Sequence, residues 1–63
     1  MARFEHYQDT RNEWRWRFTS GNGRIIAVSS EGYLSEADCL NGIRLVQTEG
    51  ATAPVNRLAT AKH

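Results

Sequence analysis

The sequence predicts an α+β fold: a three-stranded antiparallel meander, then one helix, then a fourth strand near the C-terminus. Three observations predict it. Trp14-Arg15-Trp16-Arg17-Phe18 alternates aromatic and basic residues, the period of two that places successive side chains on opposite faces of a strand. Gly21-Asn22-Gly23 follows and supplies residues that accept positive φ, as a tight hairpin demands. Beyond Ser35 the period changes: Cys39, Ile43 and Val46 stand at i, i+4 and i+7, with Leu40 beside them, the apolar stripe of an amphipathic helix.

Taken in order, Arg3 to Gln8 reads as the first strand, with Phe4 and His6 on one face and Arg3, Glu5 and Tyr7 on the other. Asp9, Thr10 and Asn12 carry turn chemistry. Glu13 to Ser20 is the second strand, and Arg24 to Ser30 the third. Ile25, Ile26, Ala27 and Val28 are apolar on both faces, which predicts that the third strand lies inside the sheet rather than at its edge. Ser35 is an N-cap with Asp38 three residues on, and Leu34 and Cys39 are spaced for a hydrophobic staple across the cap. Glu36 and Asp38 put negative charge where the helix dipole favours it. Gly42 costs about 1 kcal/mol relative to alanine in a helix, so its presence predicts close approach of the helix to a neighbour. Gly50 ends the helix, and Pro54 opens a fourth strand over Val55 to Leu58.

Sixty-three residues make one domain, 1–63, with 51–63 as a tail or exchanged strand. A chain this short buries only about 60% of its unfolded surface, so a staple is expected. Its one cysteine, Cys39, rules out an internal disulfide, and Cys39, His6 and His63 match no zinc spacing. A partner subunit is the staple that remains. The formal net charge of +1 argues against a strongly electrostatic nucleic-acid binder. No apolar run approaches the ~20 residues of a membrane span. Residues 1–13 carry charges where a signal peptide needs an apolar segment, and with a free cysteine this predicts a reducing cytoplasm.

Little in the chain points to catalysis. Cys39 sits on the apolar stripe, where a thiol behaves as a small hydrophobe. His6 reads as a packed strand residue, His63 as a fraying end, and the acids form no recognisable acid/base pair. No cofactor or small-molecule ligand is implied. If Trp14, Trp16 and Phe18 face the helix, each buries ~150–250 Å² and together they form the core. Arg15 and Arg17 then lie on the open face near Glu5 and Tyr7. That face has two readings. One is a solvated surface of cross-strand charge pairs. The other is a weak single-stranded nucleic-acid platform, with Tyr7 stacking on a base and Arg3, Arg15, Arg17 and Arg24 holding phosphates.

The ordered run Phe4, Tyr7, Trp14 to Phe18, Asn22-Gly23, Ile26, Ser30-Glu31-Gly32-Tyr33, Ser35, Cys39, Asn41-Gly42-Ile43 and Val46 resembles the YegP-like family of small, uncharacterised, mostly prokaryotic proteins. The resemblance covers roughly residues 3 to 47. It implies β(3)-α-β units joined in one sheet with exchanged C-terminal strands, and hence a homodimer for a chain with one unit. The family has no established activity, so it assigns no functional residue. The reading is therefore a non-catalytic, cytoplasmic, homodimeric module, with nucleic-acid binding through Tyr7, Arg15, Arg17 and Arg24 as the alternative.

Overall fold

Strict alternation in the first two strands makes one sheet face aromatic and the other charged, and the helix covers the aromatic one. The computed structural model describes residues 1–59. The elements are β1 (Arg3–Gln8), β2 (Trp14–Thr19), β3 (Ile25–Val28) and α1 (Glu36–Glu49), with sheet order β1-β2-β3. β1 and β2 are antiparallel, with Phe4 opposite Phe18, Glu5 opposite Arg17, His6 opposite Trp16 and Tyr7 opposite Arg15. β2 and β3 pair from Arg17–Val28 to Thr19–Ile25, with a register shift between Phe18 and Thr19.

The β1–β2 turn is held by Asp9, whose Oδ1 accepts from the backbone N–H of Arg11 (2.8 Å) and Glu13 (3.0 Å). Asn12 takes φ 64 there, a left-handed conformation that asparagine tolerates. The second hairpin closes through Ser20 N–H to Arg24 O (2.7 Å) and Gly23 N–H to Ser20 O (3.0 Å), with Gly23 at φ 90. After β3 the chain stays against β2: Ser29 N–H bonds Trp16 O, and Tyr33 and Trp14 exchange backbone hydrogen bonds of 2.8 and 2.7 Å.

The helix begins as its cap chemistry requires. Ser35 is extended, and its Oγ accepts from Asp38 N–H at 3.1 Å. Cys39 and Ile43 are buried against Trp16, with Phe4, Trp14 and Tyr33 packed around them. Trp16, at 8% exposure, is the one buried aromatic among the described residues; Trp14 and Phe18 are half-buried. Gly42 lies so close to the core that a Cβ there would sit 2.7 Å from Tyr33 Oη and 3.4 Å from Trp16 Nε1. The glycine marks close packing, as its cost predicts.

Four expectations are corrected. β3 is an edge strand, not an interior one: β2 is central, and Ile25, Ile26 and Val28 are 55%, 60% and 57% exposed. The Leu34–Cys39 staple does not form, because Tyr33 takes the bridge to Trp14 and leaves Leu34 88% exposed. The apolar stripe is only half used: Val46 and Leu40 remain exposed while Cys39 and Ile43 are buried. Val55 to Leu58 forms no strand in this chain, and Val55 and Leu58 are exposed. The last part of the 51–63 tail, with His63, lies outside the described residues.

Candidate functional site

The open face of the sheet gathers Arg3, Glu5 and Tyr7 from β1 with Arg15, Arg17 and Thr19 from β2, as alternation dictates. Glu5 sits at its centre. Its Oε1 accepts from Arg17 Nε (2.8 Å) and Thr19 Oγ1 (3.2 Å), and its Oε2 from Arg3 Nε (3.0 Å). The hydrogen bond from Arg17, then that from Arg3, holds the Glu5 carboxyl below its ordinary value of 4.5. Arg17 also lies over the Tyr7 ring at 5.6 Å.

Asp9 anchors the other end of the face. Its Oδ2 accepts from Arg15 Nε at 2.7 Å, and Arg15 Nη2 lies 3.9 Å from Glu13 Oε1. The Arg15 contact, then the Glu13 backbone N–H, lowers the Asp9 pKa, and Asp9 in turn raises that of Arg15. Arg15 and Arg17 lie on the face that the alternation predicts, whereas the Asp9 brace was not among the sequence expectations. The signal was present in an Asp that opens a turn two and four residues ahead of amide donors.

Of the residues singled out for nucleic acid, Tyr7, Arg15 and Arg17 therefore share one face. Arg24 stands apart at the hairpin end. Arg15 and Arg17 are already matched by carboxylates, so the face is a balanced network rather than a cationic groove.

On the other face, His6 stacks against Trp14 (ring centroids 5.9 Å apart), and its Nε2 lies 3.1 Å from Glu36 Oε2, tying β1 to the first turn of α1. Cys39 is buried, and burial, with a smaller contribution from Glu36, pushes its thiol pKa up. A thiol so placed is a poor nucleophile. Among the described residues no group of three or more His, Cys, Asp or Glu side chains could hold a metal ion, and no helix is long and apolar enough to cross a membrane.

The distinctive surface is apolar. β3 leaves its outer edge unpaired among the described residues. Ile25, Ile26 and Val28 make that edge an exposed apolar strip. Around that edge, where the C-terminal half of α1 stands away from the sheet, a groove of about 450 Å³ opens between Phe4, Phe18 and Ala27 on one side and Val46, Gly50 and Ala51 on the other.

A three-stranded antiparallel sheet with one covering helix and an open apolar edge defines a small α+β module. The chain belongs to the DUF1508 family, a domain of unknown function, whose sequence profile matches residues 9–56. A UPF0339 protein of Treponema denticola is 45% identical over 54 residues, covering 86% of this chain and 91% of the relative. One of Methanosarcina acetivorans is 42% identical over 55 residues, 87% and 93% of the two chains. The solution structure of a Haloferax volcanii protein superposes with a TM-score of 0.81 at 37% identity, covering 90% of this chain and 95% of that one. An Agrobacterium tumefaciens solution structure gives 0.73 at 29% identity, with 90% of each chain covered. The YegP-like resemblance and the α+β fold are thus confirmed, and the family's description states no activity.

Proposed function

We propose that this protein is a non-catalytic, cytoplasmic homodimeric module in which the β3 edge and the segment after Pro54 are completed by a second copy, with C-terminal strands exchanged. One observation carries the reading: Ile25-Ile26-Ala27-Val28 is an apolar edge strand with all four residues exposed. An open apolar edge is a template for pairing, and proteins that leave an edge free blunt it with lysine, proline or an inward charge. Residues 25–28 contain none of these. The same subunit carries Val55-Asn56-Arg57-Leu58, which alternates like a strand yet pairs with nothing among the described residues. A two-fold pair lets each tail lie against the other copy's sheet, and the groove beside Phe18, Ala27 and Val46 offers its apolar side chains a seat.

The rest of the reading draws on chemistry. Arginine holds Glu5 and Asp9 as carboxylates, which unfits them as acids near neutral pH, and burial disarms Cys39. One cysteine, kept free, suits a reducing compartment. Nucleic-acid binding through Tyr7, Arg15, Arg17 and Arg24 requires Arg15 and Arg17 to leave their carboxylates, so the balanced face favours the assembly reading. Light scattering at micromolar concentration should find a dimer, and hydrogen exchange should find the amides of residues 25–28 protected. A monomer with unprotected β3 amides overturns the proposal.

A further inference from the structure

The chain contains two Asn-Gly pairs in opposite settings. Asn41-Gly42 lies inside α1. Asn22-Gly23 lies at the exposed tip of the β2–β3 hairpin. We propose that Asn22 is a site of spontaneous deamidation, giving an aspartyl or isoaspartyl residue in this turn, and that Asn41 is protected from the same reaction.

The reaction needs the backbone nitrogen of the following residue to reach the side-chain carbonyl carbon. Glycine has no Cβ to block that approach and lets the backbone turn freely. Gly23 sits at φ 90, with nothing within 4 Å of where a Cβ would be. Asn22 Oδ1 accepts from Ser20 Oγ–H and, at 3.4 Å, from Arg24 N–H. These donors hold the carboxamide over the turn and draw electron density from its carbon. One hydrogen bond restrains the nucleophile, Gly23 N–H to Ser20 O at 3.0 Å. A turn hydrogen bond at an exposed loop tip opens with very little free energy.

In the step itself, hydroxide removes the Gly23 amide proton, and the nitrogen attacks Asn22 Cγ. The N–Cγ bond forms, the Cγ–Nδ2 bond breaks, and Nδ2 leaves as ammonia with a proton from water. Water then opens the cyclic imide at either carbonyl, giving aspartate or isoaspartate. The net change is one water consumed and one ammonia released, with no redox partner.

Gly42 is held differently. Its amide belongs to the hydrogen-bonded interior of α1, and Tyr33 and Trp16 fill the space where a Cβ on Gly42 would sit. Attack there requires local unfolding of the helix over the core, so the reaction is suppressed by the free energy of that opening. The product at Asn22 adds a negative charge and, in the isoaspartyl form, an extra backbone carbon. Both fall in the turn that sets the β2–β3 register, which already shifts between Phe18 and Thr19.

The test incubates the folded full chain for days at mildly alkaline pH in ¹⁸O-labelled water, then maps peptides by mass. Asn22 should gain the mass of amide-to-acid conversion with one heavy oxygen, at least roughly tenfold faster than Asn41. Asn22→Gln should abolish the signal at that position and leave Asn41 unchanged. In denaturant the two sites should react at similar rates, which shows that the fold makes the difference. Equal rates in the folded protein, or an Asn22 that stays intact while the denatured chain reacts, would overturn the proposal.

Discussion

Trp16 and Gly42 meet at the narrowest point between helix and sheet, and their energetics are coupled. Trp16 is 8% exposed and touches Phe4 edge-on, with ring centroids 5.7 Å apart. Trp16→Ala should destabilise the fold by about 3–5 kcal/mol, the usual cost of emptying a large aromatic site. That approaches the whole stability of a small domain, so thermal melting of the variant should show little cooperative transition. Gly42→Ala tests the same contact from the helix side. Inside a helix the change normally stabilises by about 1 kcal/mol. Here the new Cβ would meet Tyr33 Oη at 2.7 Å and Cζ at 3.2 Å, so the sign should reverse and Tm should fall. Tyr33→Phe removes the nearer atom, so Gly42→Ala should cost less in that background. Additive effects of the two changes would show that Tyr33 is not what excludes a side chain at Gly42.

At the scale of elements, the charged face of β1 and β2 links the two strands by charge-assisted hydrogen bonds. The folded-state pKa values of Glu5 and Asp9 are depressed below 4.5 and 3.8. A depressed carboxylate contributes stability above its unfolded pKa and loses it as pH falls through the folded one. Tm should therefore be level near neutrality and decline below the ordinary carboxylate values, and Glu5→Gln with Asp9→Asn should flatten that acid limb. Because the pairs are partly solvated, Arg15→Ala with Arg17→Ala should change stability little at neutral pH. If the parent binds single-stranded oligonucleotides in a salt-sensitive way that this double variant loses, the nucleic-acid reading replaces the assembly reading.

The faces of β1 and β2, the Ser35 cap and the tight fit at Gly42 were legible in the sequence, because period, cap chemistry and the cost of glycine are local signals. The place of β3 was not. Four apolar residues in a row signal a strand that is apolar on both faces, but not where that strand stands in the sheet. Leu34 misled for a related reason: its spacing suited a staple, while the long-range backbone pairing of Tyr33 with Trp14 decided where the chain ran. The Asp9–Arg15 brace spans a turn, and its partners can be matched only once the hairpin register is known.

For the whole molecule, the decisive quantity is how much apolar surface one subunit leaves uncovered. Two buried side chains of α1 and one enclosed tryptophan make a thin core for a chain of this length. Ile25, Ile26, Val28, Val55 and Leu58 are all exposed, and the proposed second copy would add the burial that one chain lacks. Two perturbations separate the edge from the tail. Val28→Lys places a charge on a side chain that is solvated within the subunit, so the subunit fold should survive, shown by an unchanged far-UV spectrum. The same charge on a paired edge should shift the protein toward monomer. Deleting everything after Gly50 leaves the sheet and helix intact but removes the segment proposed to exchange. It should also favour monomer, and should lower Tm and make it less dependent on concentration, because assembly and folding are linked by mass action. A deletion variant that remains a dimer while Val28→Lys does not would place the contact at β3 and refute the exchanged strand. The opposite result would assign the contact to Val55–Leu58 and leave the β3 edge without a partner.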